Sequence, residues 1–208
     1  MNKGTKRVAL IVGAGTELGQ AVARQLATNG VRVALNDLLP DRVELIAKEI
    51  QTTGGEAIVY ATDLSRKLAL QTVLQNILEG WARIDILIFI AFSQPADALL
   101  DIDEWDWHRS LDINLTAAFL CMQSVGRVMR ELGGGIIIST LAGAQNQPSA
   151  AYQAAAAGLA ALSDAAEQEL GQYHIRVYAL NASETLAPEI VQLCLSPELA
   201  KTNTDLHH

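Results

Sequence analysis

Basic residues are scarce in this chain and unevenly placed. Its 208 residues carry 15 Lys and Arg against 23 Asp and Glu, a net charge of −8. A pI near 4.9 argues against binding nucleic acid or an anionic membrane, since both need a basic face. No lysine falls between Lys67 and Lys201, and no arginine between Arg130 and Arg176. Cysteine is almost absent. Cys121 and Cys194 sit in apolar stretches, in neither a CxxC nor a metal spacing, and read as buried, reduced thiols of a cytoplasmic protein. His108, His174, His207 and His208 form no ligand pattern, so no metal is expected, and the terminal pair is either native or the remnant of a tag. Long hydrophobic runs are missing too. The longest, residues 86–92, is far too short to cross a bilayer. No basic, apolar leader opens the sequence, and no secretory signal is expected.

What is present alternates. Apolar, β-rich runs at residues 7–12, 31–35, 57–61, 84–91, 136–140 and 175–180 read as buried strands. Between them lie helical stretches at 18–29, 40–52, 66–81, 103–132 and 150–171, and a last short helix at 188–195. The punctuation agrees. Pro40 and Asp41 open one helix, Asp103 caps another, and Gly30, Gly54–Gly55 and residues 133–135 stop the helices before them. Strands separated by helices of this length imply βαβ units, hence a parallel sheet covered on both faces. Residues 1–208 read as one doubly wound α/β domain of Rossmann type.

In such sheets ligands bind at the carboxyl ends of the strands. There the sequence places Gly13-Ala14-Gly15-Thr16-Glu17-Leu18-Gly19, between the first strand and the first helix. Glycines let a backbone approach a pyrophosphate, and the helix N-terminus offers unpaired N–H groups and partial positive charge. Asp37 ends the second strand. A carboxylate there binds a ribose 2′-hydroxyl and repels a 2′-phosphate, which favours NAD(H) over NADP(H); the alternative is a solvated strand-end residue.

With these features in place, nearly the whole chain resembles the short-chain dehydrogenase/reductase family. KRVALIVGAGTELGQAVARQLA is similar to the family's opening strand, glycine turn and helix. Asp63 in ATDLS matches an aspartate that contacts the adenine ring, and ARIDILI the fourth strand. LDINLTAAFL carries the family's asparagine at Asn114, GGGIIISTLAG the serine motif, AAYQAAAAGLAAL the tyrosine at Tyr152, and HIRVYAL the sixth strand. The resemblance implies hydride transfer between NAD(P)(H) and a carbonyl or alcohol. It assigns Gly13, Gly15, Gly19, Asp37, Asp63 and Ala91 to the cofactor. A tyrosine serves as acid/base, a serine holds the substrate oxygen, and a lysine four residues after the tyrosine lowers its pKa. A free phenol, with a pKa of about 10, is a poor base at neutral pH without such a cation.

The departures gather in one half of the site. Ala156 stands where the lysine belongs, and the helix at 150–171 holds no Lys or Arg. Tyr152 is then either a remnant catalyst or a core or interface aromatic. The S-x-x-G pattern ending at Gly143 selects Thr140 for the serine position, while the other register selects Ser139. Glu17 replaces the middle glycine of the first turn. Phe89-Ile90-Ala91-Phe92 replaces Asn-Asn-Ala-Gly, and Ala182-Ser183 replaces Pro-Gly. The final helix follows the sixth strand so closely that the substrate-capping lobe is expected to be missing, with NTDLHH as the stub of a last strand.

Two readings result. One is a catalytically impaired or inactive family member with residual nucleotide binding at the adenine end. The other is an NAD(H)-dependent oxidoreductase that uses Tyr152 with Thr140 or Ser139 and Asn114. Non-redox chemistry finds no cation or nucleophile pair to support it. In either case the resemblance implies a homodimer or homotetramer through helices 103–132 and 150–171, in which the small residues Ala154 to Gly158 and the apolar Trp105, Trp107 and Phe119 form the contact; the alternative is that the small residues pack on their own sheet. The substrate is not legible.

Overall fold

The computed structural model of the chain describes residues 6–90, 92–140, 149–181 and 186–195. Ala91, Gly143, Ala182, Ser183 and His207–His208 lie outside the described residues, as does the expected last-strand stub. The strands are β1 (Val8–Val12), β2 (Arg32–Asp37), β3 (Ala57–Ala61), β4 (Ile86–Phe89), β5 (Gly135–Thr140) and β6 (Ile175–Leu180). They form one six-stranded sheet in the order β3-β2-β1-β4-β5-β6, every pair parallel. Chain order reverses between β1 and β4, which opens a crevice at the carboxyl ends of those strands.

The helices are α1 (Glu17–Thr28), α2 (Pro40–Thr52), α3 (Lys67–Trp81), α4 (Glu104–Leu111), α5 (Ala117–Leu132), α6 (Ala150–Leu170) and α7 (Leu186–Leu195). Because β1 and β4 are apolar at every position, they are buried on both faces. One core joins Leu10, Leu87 and Phe89 to α3, α5 and α6 through Leu74, Val125 and Leu159. The other joins Ile11 and Ile88 to α1, α2 and α7 through Val22, Ile46 and Ile190. Each such side chain contributes about 1.5–3 kcal/mol by leaving water. Helix starts follow local chemistry. Thr16 accepts from Gly19 N, Asp103 from Asp106 N and Ser149 from Tyr152 N, each closing an open first turn.

The helix expected over 103–132 is not continuous. Between α4 and α5 the chain makes a π-turn at Asp112–Thr116, with Ala117 N donating to Asp112 O. Asn114 lies in this wider turn, buried, with its side chain hydrogen-bonded to the main chain of Ser93. The fourth strand is shorter than the apolar run that predicts it, and the last helix starts at Leu186, before Pro188. Residues 181–185 alone separate β6 from α7. No helix among the described residues is long and apolar enough to cross a membrane.

Candidate active site

The glycine turn is built by β2 as much as by its own residues. Gly13 N and Ala14 N both donate to Asn36 O at 2.9 Å. The buried Asn36 side chain donates in turn to Tyr60 O and Thr62 O, at 2.8 and 2.9 Å, so the ends of β1, β2 and β3 form one hydrogen-bonded unit. Gly19 is required sterically. A Cβ there would lie 2.4 Å from Gly13 O, so α1 approaches the turn only without a side chain. At Gly15 a Cβ would lie 2.8 Å from Asp37 Oδ2, and that close approach lets Gly15 N donate to the carboxylate at 2.9 Å. Leu39 N donates to its other oxygen at 3.1 Å. A carboxylate offers about four acceptor sites, so Asp37 keeps capacity for a diol.

These residues open onto a cleft of about 230 Å³ at the crevice, lined by Gly13, Gly15, Thr16, Asp37, Arg42, Asp63 and Phe92 among others. At its far side Asp63 is engaged on both oxygens. Ser65 donates from N and Oγ to Oδ1 at 3.0 and 2.7 Å, and Arg109 Nη1 donates to Oδ2 at 2.8 Å. Burial raises the Asp63 pKa, but the hydrogen bonds from Ser65 and Arg109 outweigh it and hold the carboxyl below its ordinary range. Asp63 is therefore a permanent acceptor at neutral pH. Asn36, Arg42 and Arg109 were not apparent as site residues in the sequence. A polar residue inside the apolar β2 run was the one available signal, for Asn36.

The other half differs. Phe92 meets Tyr152 edge to face, with ring centroids 5.3 Å apart and planes at 80°. Tyr152 is only 5% exposed. Burial raises its pKa, and its helix carries no cation; Ala156 lies one turn on, on the same side of the helix. Asn114 is also committed: its Oδ1 accepts from Ser93 N at 2.8 Å, and its Nδ2 donates to Ser93 O at 2.5 Å. Ser139 and Thr140 are adjacent on β5 and so point to opposite faces. The Ser139 hydroxyl shares a hydrogen bond with Ser163 of α6 at 2.8 Å and also donates to Tyr178 O at 3.3 Å. Thr140 Oγ1 is buried without a hydrogen-bond partner among the described residues. Glu17 is exposed and lines no part of the cleft, whereas Phe92 does. The structure thus brings Gly13, Gly15, Asp37 and Asp63 together around one cleft, with Gly19 packed behind the glycine turn. Tyr152, Thr140 and Ser139 do not line it.

The profile of the family described as short chain dehydrogenase matches residues 7–192. The (2S)-[(R)-hydroxy(phenyl)methyl]succinyl-CoA dehydrogenase subunit BbsD of Thauera aromatica is 32% identical over 176 residues, 82% of this chain and 70% of that protein. A metagenomic short-chain oxidoreductase solved in complex with NADP superposes with a TM-score of 0.84 at 28% identity, covering 90% of each chain. An NAD+-bound xylitol dehydrogenase superposes at 0.79 and 28% identity, covering 96% of this chain and 84% of that one. The chain belongs to the short-chain dehydrogenase/reductase family of NAD(P)-binding oxidoreductases.

The two halves of the site fit such a dinucleotide unequally. The adenosine half fits it: a diol acceptor at Asp37, a charged acceptor at Asp63, and a glycine cradle that a Cβ would fill. On the nicotinamide side, among the described residues, the Phe92 ring lies edge-on against Tyr152.

Proposed function

We propose that this chain is a short-chain dehydrogenase/reductase family member that has given up hydride transfer and retains nucleotide binding at the adenine end. The observation that carries this reading is the Phe92–Tyr152 contact. It packs against a phenol on a helix without a lysine or arginine, so no cation of that helix favours the phenolate that general-base work needs. Burial pushes the pKa away from neutrality instead. The short sequence between the end of β6 at Leu180 and the start of α7 at Leu186 adds support, since a helical lobe capping a substrate is longer than that. The test is NADH and NADPH consumption against a panel of ketones, aldehydes and alcohols at high protein concentration. No turnover above that of Tyr152→Phe is expected, and turnover abolished by that change would contradict the reading.

One observation favours the second reading, a working NAD(H)-dependent oxidoreductase. A buried, unpartnered Thr140 hydroxyl has the form of a group awaiting a substrate oxygen. On either reading Asp37 favours NAD(H)-type over NADP(H)-type ligands through repulsion of a 2′-phosphate, although Arg42 on the same cleft works in the opposite sense. Comparison of AMP with its 2′-phosphorylated form measures which prevails.

A twofold assembly through α4, α5 and α6 fits the surface. Trp105 is 69% and Phe119 43% exposed, and a groove of about 330 Å³ runs between α5 and α6 past Phe119, Met122 and Gly126. Only part of the small-residue stripe serves such a contact. Ala154 and Ala157 are exposed, but Ala155 is buried, and a Cβ at Gly158 would lie 2.8 Å from Leu115 of the same chain. The free, buried Cys121 and Cys194 support a cytoplasmic location.

A further inference from the structure

Phe92 does more than lean on Tyr152: it also ends the nucleotide cleft, and the chain holds it there deliberately. The next residue, Ser93, is gripped by Asn114 at both main-chain groups, N to Oδ1 at 2.8 Å and O to Nδ2 at 2.5 Å. Ser110 Oγ braces the same amide at 3.2 Å. Asn114 lies in the π-turn at Asp112–Thr116 and is 4% exposed. Movement of Ser93 would therefore break two part-buried hydrogen bonds. The described cleft of about 230 Å³ has Phe92 among its lining residues. Its polar groups suit one nucleoside: Asp37 and Gly15 at the ribose, Asp63 with Ser65 at the base, Arg109 holding Asp63 from outside the cleft.

We infer that the site is a mononucleotide site, selective for adenosine 5′-mono- or diphosphate over the full dinucleotide, with Phe92 as the length stop and Asn114 as the residue that positions it. The inference rests on the reading of this cleft as an adenine-nucleotide site. The exocyclic amine of adenine donates to the remaining acceptor capacity of the Asp63 carboxylate, the ribose diol donates to Asp37, and the 5′-phosphate lies toward the N-terminus of α1. Beyond it, among the described residues, stand the Phe92 and Tyr152 rings.

The experiment is calorimetric titration of the full chain with AMP, ADP, ADP-ribose and NADH, for the wild type, Phe92→Gly and Asn114→Ala. In the wild type AMP and ADP are expected to bind at least tenfold tighter than NADH. In both variants NADH is expected to gain at least tenfold while AMP changes less than twofold; a purely structural role for Asn114 would weaken both ligands alike. Wild-type NADH binding as tight as AMP binding overturns the length stop and leaves the adenine site standing, as does a ratio unchanged by Phe92→Gly. Absence of AMP and ADP binding overturns both the inference and the reading beneath it. Because the wild-type series alone decides between these outcomes, a variant that fails to fold does not spare the inference.

Discussion

Placing a lysine at position 156 tests whether the missing cation is what silences Tyr152. Residues four apart on a helix are neighbours, with Cβ atoms about 5–6 Å apart, so the ammonium of Ala156→Lys can reach within about 5 Å of the phenol. At an effective dielectric constant of about 20, two charges at that distance interact by roughly 3.3 kcal/mol, equivalent to about 2.4 pH units of titration. Position 156 is half-buried, and water screening reduces this, so a lowering of about 1–2 pH units is expected. The wild-type phenol, raised by burial, is ionised to less than about one part in a thousand at pH 7; the lysine multiplies that fraction by about 10–100. The assay is alkaline titration of phenolate absorbance. The Tyr152 component is isolated by subtracting the same titration in the Tyr152→Phe background, and Ala156→Met controls for bulk. A folded Ala156→Lys protein that titrates like the methionine control would refute the reasoning, as would a wild-type Tyr152 that already titrates below the ordinary phenol range.

Other outcomes follow from the same geometry. Thr140→Val replaces a buried, unpartnered hydroxyl by a methyl group, so urea unfolding should show a gain of about 1–3 kcal/mol, whereas Ser139→Ala, which breaks the bond to Ser163, should lose about 0.5–1.5 kcal/mol; equal effects would undo the assignment of the two faces. Gly19→Ala forces a Cβ to within 2.4 Å of Gly13 O, and a loss of about 1–3 kcal/mol in the same assay is expected. Burial pushes both thiols up to about 12 from 9.0, with Arg7 and Arg176 easing the effect at Cys194, so neither should react with iodoacetamide at neutral pH before unfolding. Their contribution to stability is full below pH 9.0 and falls as pH rises toward about 12. Asp63 has the opposite sign. Its carboxyl titrates below 3.8 when folded, so its contribution is present above that pH and lost as pH falls through the folded value. Asp63→Asn should flatten the acid limb of a stability–pH curve, and an unchanged limb would deny the Arg109 pairing its role.

The architecture was legible because its signals are local. Short apolar, β-rich runs between helix-length segments read as buried strands, and Pro40 and Asp103 mark helix starts where the structure has them. What escaped depends on distant partners. Nothing in LDINLTAAFL distinguishes a π-turn from an ordinary helix; the turn answers to Ser93, 21 residues earlier. Arg109 and Asp63 are 46 residues apart, and no spacing rule joins them. Glu17 and Phe92 were equal suspects as cleft blockers. Only the orientation of each side chain separates the exposed glutamate at the start of α1 from the phenylalanine that lines the cleft. The sequence left Thr140 and Ser139 as alternative registers; the strand sets them on opposite faces, and the Ser163 partner on α6 had to be seen to tell which face was which.

The most direct measurement is a crystal structure of the protein grown with saturating NADH. The account predicts an ordered adenosine half between Asp37 and Asp63, with the Phe92 ring still edge-on to Tyr152 near 5.3 Å. A nicotinamide ring seated beside Tyr152, with Phe92 rotated out of the cleft, would contradict it.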